Sequence, residues 1–116
     1  MEKLGTVEYV TVLRFPSCPS KEELLEIMDR SIRFVGMTTH GEPDIRSFPD
    51  ENGNGGVGDQ IYRALTDSYM IGGTWNELST SRILLSSCKY YDVLNLTSYL
   101  MKLFRARPDI MHHFSF

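Results

Sequence analysis

Ser68 and Cys88 are the side chains of this sequence whose types and spacing could do chemistry together. They stand near the ends of the stretch DSYMIGGTWNELSTSRILLSSC, residues 67–88, which reads as two strands joined by a turn. Residues 69–75 are aromatic and β-branched around a Gly-Gly pair, Asn76, Glu77 and residues 79–81 supply turn chemistry, and Ile83-Leu84-Leu85 is an apolar run. If the two strands pair as a hairpin, Ser68 at the opening of the first and Cys88 at the close of the second come to the same end of a sheet. A hydroxyl and a thiol then share one site, and a thiol, which titrates near neutrality, can give and recover a proton. Each residue also has a structural reading. A serine at a strand start commonly serves a turn or cap, and a lone cysteine after an apolar strand commonly serves as a buried small hydrophobe.

In order and in ungapped spacing, Asp67-Ser68, then Thr74-Trp75-Asn76-Glu77, then Ser86-Ser87-Cys88 resembles a segment of the small prokaryotic S-adenosylmethionine decarboxylases. That segment reads acidic-Ser-His, His-Thr-aromatic-Pro-Glu, and Thr-Cys-Gly. The element order of the family also suits residues 7–116. Two positions depart from the pattern: the histidine after the serine is Tyr69 here, and the histidine before the threonine, used by the family in self-cleavage, is Gly73. The resemblance implies that Ser68 attacks the carbonyl of Asp67, that the peptide becomes an ester, and that elimination leaves a pyruvoyl group at the new N-terminus. Such a ketone is an electron sink that condenses with a substrate amine and lets a carboxylate leave as carbon dioxide, as pyridoxal phosphate does with an external cofactor. On the same basis Cys88 is the proton donor, Glu77 receives ribose hydroxyls, Phe48 stacks on adenine, and Thr74 joins them in the ligand site. The function implied is a self-processing decarboxylase of S-adenosylmethionine or a related amino acid, acting in polyamine biosynthesis. The alternative is an uncleaved homologue that binds S-adenosylmethionine, a related small ligand or a partner protein in order to sequester, sense or inhibit.

The elements that must position these residues are legible in order. Residues 7–15 (VEYVTVLRF) alternate and read as a strand that Pro16 and Pro19 break. Ser20 and Glu23 have capping-box spacing and open a helix over 20–35, with Leu25, Met28, Ile32 and Val35 on its apolar face and Gly36 at its end. Residues 37–40 make a short strand, interrupted at 41–43 and resumed at 45–48, where Pro43 argues for an edge or a bulge. Residues 49–58 (PDENGNGGVG) read as a connector: no Lys precedes a Ser or Thr as in a phosphate loop, and the ligand pattern of a calcium loop is absent. Residues 60–66 form a strand leading into Asp67-Ser68. Asp92 caps a second helix over 93–107 that buries Val93, Leu96, Leu100, Leu103 and Phe104, Pro108 stops it, and residues 110–116 read as a last strand. Two helices with one apolar stripe each, among several strands, predict an α+β fold, a two-layer α/β sandwich with both helices on one face of a mostly antiparallel sheet.

At 116 residues the chain forms one domain, 1–116, with a core of its own. A net charge of −3 leaves no basic footprint for nucleic acid. No apolar run approaches the ~20 residues of a membrane span, and residues 1–5 lack a signal-peptide core, so a cytoplasmic location is expected. The two cysteines, Cys18 and Cys88, read as free thiols rather than a disulfide framework or a metal site. Of the three histidines, His40, His112 and His113, one could stand in through space for the histidine missing at Gly73, although surface or strand-end positions are the commoner explanation. A sheet with one helix-free face predicts a homodimer, as the resemblance also implies, with Tyr62, Tyr69 and Trp75 as candidates for that face.

Overall fold

The computed structural model describes residues 8–49 and 56–116; the expected strand start at Val7 and the middle of the Gly-rich connector lie outside the described residues. The elements run β1 (Tyr9–Phe15), α1 (Lys21–Phe34), β2 (Thr39–Pro49), β3 (Gly56–Leu65), β4 (Ser68–Trp75), β5 (Thr80–Ser87), α2 (Val93–Phe104) and β6 (Ile110–Ser115). The strands form one sheet in the order β2-β3-β4-β5-β1-β6, with every described pairing antiparallel. Each consecutive pair from β2 to β5 is a hairpin, whereas β1 reaches its place between β5 and β6 by way of the two helices.

Alternation along the strands divides the sheet into two faces. Thr11, Leu13 and Phe15 of β1, Ile83 and Leu85 of β5, Met70 of β4 and Ile61 of β3 point to one face and are buried. Both helices cover it. Phe104 of α2 stacks on Phe15 with ring centroids 4.3 Å apart. The backbone of β4 receives α1 directly, because a Cβ at Gly72 would stand 2.5 Å from Met28 Sδ and 3.4 Å from Leu24 Cδ1. Phe34 and Tyr99 stack between the helices at 4.2 Å. A half-buried bidentate pair, Arg63 to Asp29 at 2.9 and 3.0 Å, ties β3 to α1. The two-layer α+β expectation therefore holds in its coarse form.

The helix starts follow their sequence signals, whereas α2 ends at Phe104 with Arg105 left-handed at φ 56°, short of the expected 107 and before Pro108 is reached. Ser20 Oγ accepts from the Glu23 amide and the Glu23 carboxylate accepts from the Ser20 amide, closing the predicted box. Asp92 accepts from the Asn95 amide at 3.0 Å, and Gly36 at φ 76° follows the Val35 cap. The apolar face of α1 is turned from the expected one: Leu24, Ile27, Met28, Ser31 and Ile32 are buried, and Leu25 and Val35 lie half-buried at its margin. Leu96, Leu100 and Phe104 of α2 are buried as expected, with Val93 and Leu103 at the margin. β2 is continuous rather than interrupted. The chain absorbs the 41–43 irregularity as a register shift between His40 and Asp44, with Gly41 at φ 74°, on an edge strand where Pro43 costs no ladder bond. The connector is shorter than expected, since Pro49 and Gly56 already pair. Among the described residues no helix is long and apolar enough to cross a membrane.

Candidate functional site

The β3–β4 turn presents Asp67 and Ser68. Leu65 and Ser68 pair across it, leaving Thr66 and Asp67 as the two turn residues, with Asp67 in the left-handed region at φ 58°. Aspartate tolerates this region better than most residues, but the backbone is still held at a cost on the order of 1 kcal/mol. Ser68 pairs with Ser87 on its other side, and the Ser68 hydroxyl donates to Ser87 Oγ at 2.8 Å. Ser87, fully buried, donates in turn to the Lys89 carbonyl and accepts from the Lys89 amide, both at 2.9 Å. Ser68 is thus oriented by a side chain whose own position the backbone fixes. Next to it, Ser86 donates to the Glu8 carboxylate.

Cys88 follows directly after β5 and is an exposed free thiol, which overturns its reading as a buried small hydrophobe: the core side chains of β5 end at Leu85, and Cys88 lies past the last paired residue. It lines a cleft of about 350 Å³ together with Asp67, Thr66, Lys89, Gly36, Met37 and Thr38. The hairpin therefore brings Ser68, Asp67 and Cys88 to one end of the sheet. His40 is the histidine nearest this end, its Nε2 2.8 Å from Thr66 Oγ1, within hydrogen-bond reach of the residue before Asp67. His113 is engaged elsewhere, its Nδ1 2.7 Å from the buried Thr11 hydroxyl that also meets Tyr91.

Phe48, Thr74 and Glu77 do not join that group. Thr74 is six residues along β4 from Ser68, about 20 Å at ~3.3 Å per residue. Glu77 lies in the exposed β4–β5 turn beyond it. Phe48 and Thr74 line a second cleft, of about 260 Å³, with Ile71, Gly73, Trp75 and Arg82 among its walls. Thr74 is buried and its Oγ1 accepts from the Asp59 amide at 3.0 Å, so it holds β3 against β4. Gly58 is required there: a Cβ on it would fall 1.8 Å from the Thr74 carbonyl oxygen. Cys18 reaches the same end and donates to Asn76 Oδ1 at 3.2 Å; burial pushes its thiol up from the ordinary value, against a smaller lowering from Thr74.

Position 73 is filled by a neighbour. The Trp75 ring lies over Gly73, with Cη2 and Cζ3 3.4 and 3.5 Å from where a Cβ would be. Arg82, opposite Gly73 in the β4–β5 register, sets its guanidinium 5.0 Å from the Trp75 ring centroid. Sequence reasoning places Ser87 within its motif without giving it a role and passes over Arg82. Ser87 could have been found as the hairpin partner of Ser68; Arg82 is the one charged residue of β5, which is the signal it gave. The chain matches no model of a known protein family and no curated protein, so the resemblance to the decarboxylases rests on these residues alone.

Proposed function

We propose that this chain is a self-processing, pyruvoyl-dependent decarboxylase of S-adenosylmethionine or a related amino acid. The observation that carries the reading is the Asp67-Ser68 peptide itself. It stands in a two-residue turn with Asp67 left-handed, the serine hydroxyl held by Ser87, and the Cys88 thiol on the wall of the cleft that Asp67 lines.

The chemistry follows from that placement. Ser68 Oγ attacks the Asp67 carbonyl carbon, the C–N bond breaks, and the nitrogen takes the proton that the hydroxyl gave up, so the peptide becomes an ester. Loss of the Ser68 Cα proton then expels Asp67 as a carboxylate and cuts the chain after residue 67. Water enters and ammonia leaves at the new terminus. Breaking the Asp67-Ser68 peptide releases the left-handed turn, which lowers the cost of the first step. The pyruvoyl group supplies an electron sink for decarboxylation. Cys88, exposed beside it, is placed to return a proton to the product carbon.

The ligand half of the site, Phe48, Thr74 and Glu77, is too far along the hairpin to touch the same small molecule as Ser68 within one chain. A homodimer answers this. The helix-free face carries the cross-strand row Val12, Leu84, Ile71 and Tyr62, and Tyr62 stacks on Tyr69 at 5.9 Å. A second copy laid antiparallel on that face sets the Ser68 end of one chain against the Thr74 end of the other and covers the apolar row. Sedimentation at micromolar concentration is expected to give twice the 13.3 kDa chain mass.

One observation favours the second reading, an uncleaved homologue that binds the ligand without turning it over: Trp75 packs where the family places its self-cleavage histidine. Carboxyl-labelled S-adenosylmethionine separates the two. Wild-type protein should release labelled carbon dioxide and Ser68→Ala none; saturable binding with no release from either would replace the decarboxylase by the binder.

A further inference from the structure

The cleft between Phe48 and Trp75 has a charge that the resemblance does not account for. Among the described residues Arg82 forms no ion pair, and its guanidinium rests on the Trp75 ring instead. Asp59, the carboxylate of that wall, is already engaged, accepting from Ser47 Oγ at 2.6 Å. Arg82, Gly73 and Gln60 are successive partners on one cross-strand row of the slot; the next residue of that row, Arg46, lies outside it and pairs with Asp44 at 3.5 Å, so Arg82 is the one cation of the lining among the described residues. Beside Arg82, Gly73 contributes no side chain. The result is a slot of about 260 Å³ with one aromatic ring at each end and an apolar patch at Ile71.

We infer that this slot binds a planar aromatic ligand carrying a negative charge, the ring stacking on Trp75 or Phe48 and the charge pairing with Arg82. Stacking needs a flat π-surface, which Trp75 and Phe48 offer from opposite sides. The Arg82 guanidinium, with no carboxylate of its own among the described residues, favours a phosphate or carboxylate through charge-assisted hydrogen bonds and disfavours a cation such as a sulfonium. The inference keeps the Phe48–Thr74 end as a ligand site but departs from the decarboxylase reading by assigning it an anionic aromatic ligand in place of the sulfonium substrate, and it does not require chain cleavage.

The protein has a single tryptophan, so Trp75 emission reports on this slot alone. Titration with adenosine 5′-monophosphate, adenosine, S-adenosylmethionine, benzoate and benzamide, read by calorimetry and by Trp75 quenching, tests the inference. The anionic member of each pair is expected to bind at least about tenfold more tightly than its uncharged counterpart, and adenosine 5′-monophosphate more tightly than S-adenosylmethionine. The nucleotide and benzoate arms tell a nucleotide site from one for simple aromatic acids. Arg82→Gln should bring each pair within about twofold, and Arg82→Lys should restore part of the preference. Arg82 is exposed, so neither variant threatens the fold. Equal affinity within the pairs, a preference for S-adenosylmethionine, an undiminished preference in Arg82→Gln, or no binding of any probe overturns the inference. Intact mass, measured on the same samples, reports separately on the decarboxylase reading.

Discussion

Replacing Gly73 by histidine puts back the side chain that the resemblance lacks and forces a choice between two rings. The new Cβ would meet Trp75 Cη2 at 3.4 Å and Cζ3 at 3.5 Å, with the Asp59 carbonyl oxygen at 3.7 Å. The Cβ alone fits with a small adjustment, but the imidazole beyond it needs the space that the indole fills. Trp75 is only half-buried and can turn outward. The move forfeits its contact with Arg82, about 0.5–1 kcal/mol at an exposed site, and crowding adds about 1 kcal/mol or more. Removing a glycine from a strand interior returns about 0.5–1 kcal/mol. The balance is a net loss of about 1 kcal/mol, or about 4 °C in the melting midpoint of a domain this size. Urea unfolding followed by Trp75 emission reads both quantities: a lower midpoint and a red-shifted native spectrum are expected. A variant as stable as the wild type with unchanged emission would refute the claim that Trp75 occupies position 73. If the turn at Asp67 is competent, the same variant should also cut faster, because a general acid-base group is typically worth about a hundredfold or more.

Gly72→Ala tests how α1 is seated. With Met28 Sδ 2.5 Å from the new Cβ, the buried Met28 side chain or its helix must shift, and a loss of about 1–3 kcal/mol in urea unfolding is expected; a neutral result would mean that α1 does not rest on β4 as described. Cys88→Ala should change stability by less than about 0.5 kcal/mol, since the thiol is exposed, while sharply slowing carbon dioxide release; a large stability loss would return Cys88 to a packing role. Asp109 is held below the ordinary carboxylate range chiefly by its hydrogen bond from Arg14, and Glu23 likewise by the Ser20 backbone. A lowered folded-state value means that this stabilisation is present above the unfolded value and is lost as pH falls through the folded one. The unfolding midpoint should therefore drop in acid, below the usual carboxylate range, and Asp109→Asn should flatten part of that drop; an unchanged profile would count against the pair.

Local signals carried much of the fold into the sequence. Ser20 with Glu23, Asp92, the Gly72-Gly73 pair and the alternation of β1 each act within a few residues, and both helices start where their caps placed them, although α2 ends at Phe104 and not at 107. Tertiary contact decided what they left open. Leu24 and Leu25 are adjacent and equally apolar, and only the bare backbone at Gly72 selects Leu24 and Met28 to face the sheet. Thr80 and Ser81 look like turn residues, yet they pair with Trp75 and Thr74 and lengthen β5, because a ladder bond outweighs a weak turn preference. At the site, the hairpin predicted that Ser68 and Cys88 lie at the same end of the sheet. Hairpin pairing also separates Ser68 from Thr74, a consequence of strand rise that matching spacings against a motif does not express. Arg82 acquires meaning only from register, which sets it opposite Gly73 and over Trp75.

The intact mass of freshly purified and aged protein tests the central claim most directly. A self-processing chain yields two fragments, residues 1–67 and 68–116, whose masses sum to that of the chain plus one water and minus one ammonia, while Ser68→Ala stays whole. A wild-type chain that remains whole under the same conditions would contradict the account.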